Sequence, residues 1–139
     1  MDARKEYSLW LEHCTGELLE ELKSLEGNDA EIRKRFGSKA SFGTAGIRSI
    51  MGAGTAWLNE LTVRQTARGL AAYVLGSDEN KTCAIGYDCR NNSQKFAQIC
   101  AAALAAEGVK VYLYDRLCPT PMLSFAVREL GCGCGIVIS

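Results

Sequence analysis

The 139 residues predict an α/β fold, a layered domain with a mixed, largely parallel sheet and flanking helices. Three observations carry this. From residue 82 onward, short apolar runs alternate with helical stripes. Glycine or proline punctuates the changes of pattern. Residues 1–40, by contrast, hold one long amphipathic pattern and then a charged stretch, with no strand among them.

Taken in order, Trp10, Leu11, Cys14, Leu18, Leu22 and Leu25 fall on one helical face, with Glu12, Glu20, Glu21 and Lys23 on the others. This reads as an N-terminal helical arm, interrupted at Thr15-Gly16. Asn28 to Lys39 is charged and poor in apolar residues, and reads as a connector that can hold a short helix. Residues 42–56 contain four glycines, at 43, 46, 52 and 54, which suit an extended, sharply turning segment. Thr62-Val63-Arg64-Gln65 has the Thr-x-x-Gln form of a capping box, and Val63, Ala67, Leu70, Ala71 and Val74 make a helical stripe that stops before Gly76. Then follow a strand over Thr82 to Tyr87, a helix from about Ser93 to Glu107, a strand over Val109 to Tyr114, a helix from Thr120 to Leu130 and a strand over Gly135 to Ile138. Ser93 and Thr120 are the expected N-caps, with Pro121 at the first helical position and Gly131 just past the helix end.

Composition narrows the function classes. Lys plus Arg and Asp plus Glu both number 16, so no bulk charge draws the chain to nucleic acid or to a membrane surface. The first residues are charged and no apolar stretch is long enough to span a bilayer, which reads as cytoplasmic. The seven cysteines then read as reduced thiols. Cys118, Cys132 and Cys134 are the only candidates for a metal cluster, but there is no C-x-x-C pair and the single histidine, His13, lies far away in sequence, so no metal site is assigned.

The chemistry concentrates in Phe42-Gly43-Thr44-Ala45-Gly46-Ile47-Arg48. Two glycines let the backbone approach an anion closely, the Thr44 hydroxyl can donate to it, and the Arg48 guanidinium offers a planar fork that suits phosphate oxygens. The plainer reading is a tight turn with an exposed arginine. A second group, Gly86 to Ser93, lies at a strand's carboxyl end, where parallel α/β sheets carry their ligands. There Asp88 and Arg90 are candidates to orient each other or to hold Arg48, against the alternative of a surface ion pair. Gly52-Ala53-Gly54 and Gly131-x-Gly133-x-Gly135 lack the strand-then-helix order of a dinucleotide fingerprint and are not taken as cofactor sites.

These stretches together resemble the N-terminal domain of the α-D-phosphohexomutase superfamily. The matching segments are the arm around Trp10-Leu11, then FGTAGIRSIMGAGTAWLNELTVRQTARGLAAYV, IGYDCRNNS, PTPMLSFAVRELG and GIVIS, in the family's order along nearly the whole chain. The arm, the FGTAGIR segment and Met51-Gly52-Ala53-Gly54 look most like the phosphoglucomutase/phosphopentomutase branch, which is sometimes labelled phosphomannomutase. The resemblance implies residues 1–40 as arm and connector and 41–139 as domain 1, incomplete at its C-terminus. It implies phosphoryl transfer between C1 and the terminal hydroxyl of a phosphosugar through a phosphoserine and a sugar bisphosphate. Arg48 would contact the bisphosphate and the phosphoserine region, and Thr44 is a weaker transfer from the same motif.

Ser139 aligns with the first position of the family's phosphoserine loop, which places the nucleophile two residues further on. No catalytic residue is therefore assigned here, and the 139 residues are expected to be inactive alone. Mg²⁺ and glucose 1,6-bisphosphate are implied for the full-length enzyme, with neither bound by this fragment alone. The expected partner is a phosphosugar, and no oligomeric state follows. A phosphomannomutase of the same superfamily and a noncatalytic module that binds phosphosugars or another subunit are the alternatives.

Overall fold

A computed structural model describes all residues, Met1–Ser139. It divides into two compact units, Met1–Thr62 and Val63–Ser139. The second begins inside a helix.

The first unit opens with α1 (Ala3–His13), α2 (Gly16–Ser24) and α3 (Asp29–Phe36). The Asp2 side chain caps α1 by accepting from the amides of Arg4 and Lys5. The interruption expected at Thr15-Gly16 is present: α1 ends with extended backbone at Cys14, and Gly16 has a φ of 62°. The short helix expected in the charged stretch from Asn28 is present as α3, capped by Asn28 Oδ1, and its two large apolar residues, Ile32 and Phe36, are buried. Phe36 is fully enclosed and meets the rings of Tyr7 and Trp10 edge-on, at centroid distances of 5.7 and 5.4 Å. With Leu22, Leu25 and Ala53 these residues make the core of the unit. The sequence division at 40/41 thus differs from the division by contacts, because the glycine segment packs against the arm and falls in the same unit.

The boundary lies within α4 (Glu60–Gly76). The second unit contains the rest of that helix, then β1 (Thr82–Tyr87), α5 (Ser93–Ala106), β2 (Lys110–Leu113), α6 (Thr120–Glu129) and β3 (Cys134–Ile138). The three strands are all parallel, in the order β2-β1-β3. Central β1 is buried along Cys83 to Tyr87, as a parallel strand covered on both faces must be. α6 lies on the face of Ala84, against which Cys118, Leu123 and Ala126 pack. A Cβ at Gly86 would lie 2.8 Å from Cys118 Sγ, and one at Gly135 would lie 2.6 Å from Val127 Cγ2, so both glycines are required by the close approach of that layer.

Three cap assignments shift. The capping box of α4 is formed by Asn59 and Thr62, not by Thr62 and Gln65: Asn59 Oδ1 accepts from the Thr62 amide at 3.1 Å while Thr62 Oγ1 accepts from the Asn59 amide at 2.9 Å. Asn92, with a left-handed φ of 64°, is the N-cap of α5, which leaves Ser93 inside the first turn. Pro119 precedes α6, so Thr120 and Pro121 are both helical. Gly131 follows the helix end at a φ of 59°, as its position in the sequence suggests.

Phe36→Ala is expected to destabilise the protein by about 3–5 kcal/mol, the usual cost of emptying a phenylalanine site. Phe42→Ala, at a residue that is 67% exposed, should change stability by no more than about 0.5 kcal/mol. Urea denaturation followed by tryptophan fluorescence measures both, and equal effects would overturn the assignment of Phe36 as the anchor.

Candidate functional site

The two predicted groups lie in different units: Thr44 and Arg48 in the first, Asp88 and Arg90 in the second.

Residues 42–48 form an exposed loop closed by the Gly43 amide donating to the Gly46 carbonyl at 2.8 Å. A Cβ at Gly46 would meet nothing within 4 Å, and one at Gly43 only the Gly46 carbonyl oxygen at 3.5 Å. Internal packing therefore does not require either glycine. Thr44 and Arg48 are both exposed. No acidic side chain pairs with the Arg48 guanidinium, in contrast to Arg4, Arg35, Arg68, Arg90 and Arg116.

After Arg48 the backbone is anchored. Ser49 Oγ donates to the Ala56 carbonyl at 2.8 Å, the Leu58 amide donates to the Ile50 carbonyl at 2.8 Å, and the Gly52 amide to the Leu58 carbonyl at 3.0 Å. The turn between these partners is held by groups the sequence did not single out. Asn59, only 3% exposed, donates through Nδ2 to the carbonyls of Gly52, Gly54 and Trp57 at 2.8, 2.9 and 3.2 Å. Glu21 Oε2 accepts from the Ala53 amide at 3.0 Å. Arg35 lies over the Trp57 ring, its Cζ 4.0 Å from the ring centre, and pairs with both Glu21 and Glu31. A local signal existed for part of this: Glu31 and Arg35 stand at i, i+4 spacing, and Asn59-x-x-Thr62 is itself a capping pattern.

In the second unit, chain topology selects the crevice. With strand order β2-β1-β3, the connection after β1 runs to one side and that after β2 returns to the other, so the switch lies at the carboxyl ends of β1 and β3. Asp88 stands there. Its amide donates to the Ile138 carbonyl at 3.0 Å and the Cys118 amide donates to the Tyr87 carbonyl at 2.9 Å, which ties the strand end on both sides.

The Asp88 carboxylate collects three hydrogen bonds: Ser139 Oγ at 2.6 Å, Ser93 Oγ at 2.8 Å and the Arg90 amide at 3.0 Å. The guanidinium of Arg90 stands 3.6 Å away. The Ser139 hydroxyl foremost, then the Arg90 amide and the Ser93 hydroxyl, hold the Asp88 carboxyl below the ordinary aspartate range. Asp88 and Arg90 thus form a partly exposed ion pair, an arrangement common to both readings of the pair given above. Ser139, 51 residues away, is the partner that spacing did not reveal. Ser93 acts as a donor to Asp88 rather than as a helix cap. Cys89, the next residue, is exposed, whereas Cys14, Cys83, Cys100 and Cys118 are buried. No group of three or more His, Cys, Asp or Glu side chains capable of holding a metal ion occurs.

The family model described as phosphoglucomutase/phosphomannomutase, alpha/beta/alpha domain I, matches residues 39–139. Similar proteins include phosphoglucomutases of Staphylococcus aureus strains USA300, NCTC 8325 and MRSA252. Each is 42% identical over 137 residues, covering 99% of this chain and 25% of the relative. The chain therefore spans about a quarter of the length of the curated relatives it matches. No solved structure matches.

The depressed Asp88 pKa makes a prediction with a definite sign. Its contribution to folding should be fully present above the unfolded aspartate pKa, about 3.9, and be lost as pH falls through the lower folded value. Asp88→Asn should therefore be less stable than wild type at pH 7, with the gap closing towards pH 2. Thermal melts across that range measure it, and a gap independent of pH would overturn the assignment.

Proposed function

Because the chain belongs to the phosphoglucomutase/phosphomannomutase family, through its alpha/beta/alpha domain I, we propose that it is the N-terminal part of a phosphoglucomutase. The reaction is transfer of a phosphoryl group between C1 and the terminal hydroxyl of a phosphosugar, an isomerisation in carbohydrate metabolism. The similar proteins carry the name phosphoglucomutase, which favours a glucose phosphate over a mannose or pentose phosphate.

One observation carries the role given to this chain. Arg48 is an exposed cation without an acidic partner, on a loop whose glycines internal packing does not explain. Both features fit a surface built to receive an anion. In this reading the open backbone at Gly43 and Gly46 lets phosphate oxygens come close, the Thr44 hydroxyl donates to them, and the Arg48 fork compensates their charge. Phosphoryl transfer depends mainly on such positioning and charge compensation, so a fixed arginine is a direct contribution to rate.

At the second unit's switch point, Asp88 is the acceptor that sets the direction of the Ser139 hydroxyl. The family resemblance puts Ser139 at the first position of the phosphoserine loop. Asp88 accordingly orients the start of that loop, and Ser139 is not the nucleophile. The phosphoserine, two residues further on, accepts and returns the phosphoryl group, with glucose 1,6-bisphosphate as the intermediate.

Magnesium belongs to this reading of the full-length enzyme. No group of three or more ligating side chains is formed within this chain, and the roles assigned to its residues are anion binding and positioning. The 139 residues, a quarter of the relatives' length, are expected to be inactive by themselves. A cytoplasmic location goes with the reading and agrees with seven cysteines in the thiol form.

The test is a coupled assay of the full-length protein that follows glucose 6-phosphate formed from glucose 1-phosphate. Arg48→Ala should lower turnover by roughly 10²–10³-fold, the scale of losing one preorganised charge-stabilising donor. Unchanged turnover in that variant would remove Arg48 from the role.

A further inference from the structure

Two side chains of the arm, those of Glu21 and Arg35, reach the glycine segment, and they do so through its main chain. Ala53 is gripped at both ends: Glu21 Oε2 accepts from its amide at 3.0 Å, and Arg35 Nη1 donates to its carbonyl at 3.4 Å. The same Arg35 Nη1 donates to Glu21 Oε1 at 2.5 Å, and Arg35 Nε donates to Glu31 Oε2 at 3.1 Å. The main chain of α3 takes part as well, since the Arg35 carbonyl accepts from the Ala56 amide at 3.0 Å. The guanidinium face is closed by Trp57, and the Arg35 side chain is only 12% exposed.

This clasp explains Gly52 and Gly54. A Cβ at Gly52 would lie 2.8 Å from Glu21 Oε1 and from Trp57 Cε3, and one at Gly54 would lie 2.8 Å from the Arg35 carbonyl oxygen. Both residues also have left-handed φ values, 148° and 141°. These glycines are needed so that Glu21 and Arg35 can reach the backbone, whereas Gly43 and Gly46 have no such internal neighbour. The two glycine pairs therefore serve different purposes, one facing the arm and one facing outward.

The clasped turn is the partner on which Arg48 depends. Ser49, the residue after Arg48, is hydrogen-bonded to Ala56, and Ile50 to Leu58. Ala56 is held by Arg35, and Leu58 adjoins Trp57 and Asn59, which complete the turn. A path of hydrogen bonds thus runs from the main-chain carbonyl of Arg35 through Ala56 to Ser49, next to Arg48, while the Arg35 side chain and Glu21 hold the same turn at Ala53.

We propose that Glu21 and Arg35 are positioning residues for Arg48: the arm, which lies before the matched domain, fixes the turn at 52–57 and through it the aim of the phosphate-binding guanidinium. The inference rests on the anion-binding role given to Arg48 above. Neither Glu21 nor Arg35 touches the substrate in it. A charged pair 12% and 35% exposed on its side chains is well placed for this, because a buried guanidinium held by two carboxylates and an indole face has one orientation available.

Two measurements test it. In the 139-residue chain, Arg35→Lys and Glu21→Gln should speed hydrogen exchange at the Gly52, Ala53 and Ala56 amides by at least about tenfold, while the β1 amides of the second unit stay protected. In the full-length protein, the same variants should lower kcat/KM for glucose 1-phosphate by on the order of 10²-fold, the scale of a small misplacement of a catalytic group. Their loss should shrink towards zero in an Arg48→Lys background, because they act only through the Arg48 fork. Glu21→Gln keeps the side chain's shape and serves if Arg35→Lys fails to fold. Unchanged exchange at the three amides, or an equal kinetic loss in both backgrounds, would overturn the proposal. Absence of mutase turnover in the wild-type protein would instead overturn the phosphosugar reading, and the exchange data would still decide whether the clasp holds the turn.

Discussion

A single buried carboxamide sets the terms for the first unit. The chain from Gly52 to Asn59 doubles back so tightly that the carbonyls of Gly52, Gly54 and Trp57 converge on Asn59 Nδ2, which donates to all three; the Trp57 amide and the Thr62 hydroxyl support the latter two. An unmet buried carbonyl costs roughly 1–3 kcal/mol, and the Gly52 carbonyl depends on Asn59 most directly. The oxygen of the same side chain accepts from the Leu61 and Thr62 amides and starts α4. One residue thereby joins the end of an irregular segment to the beginning of a regular one. The loop that carries Arg48 inherits its definition from that junction.

Charge is used locally within each unit although the net charge is zero. In the first unit Arg35 pairs with Glu21 and Glu31 against Trp57, and Lys34 pairs with Glu31 as well; in the second, Asp88 gathers hydroxyl and amide donors at the end of β1. Arg48 stands apart from both arrangements. Its guanidinium has no acidic partner within the chain, a feature it shares with the exposed Arg33, Arg64 and Arg128; what sets it apart is its place on the glycine loop.

Much of the second unit was legible because its signals are short-range. Short apolar runs between polar or glycine-containing stretches mark β1, β2 and β3, and the stripes of α4 and α5 follow helical spacing. Helix starts were less so. At Ser93 and Thr120 a favoured capping residue sits one position inside the helix, since Asn92 and Pro119 supply the non-helical backbone. The short helix α3 gave a weaker signal because it is charged on most sides, and only its two large apolar residues, Ile32 and Phe36, are buried. At the site, the loop at 42–48 announced itself through glycine, hydroxyl and cation in one segment. Strand order did not, so the choice of the β1 and β3 ends as the open pair needed the structure. The Glu21–Arg35 and Asp88–Ser139 contacts join residues 14 and 51 positions apart, and no local periodicity encodes either.

The unequal exposure of the thiols has a practical side. Cys89 is the exposed cysteine of the seven, with four others buried and two partly covered, and it is bonded directly to Asp88 in sequence. A maleimide dye or nitroxide added to the unmodified protein should therefore attach first at the mouth of the sheet. The molecule arrives with a spectroscopic reporter position already installed, at the point where β1 delivers its carboxylate.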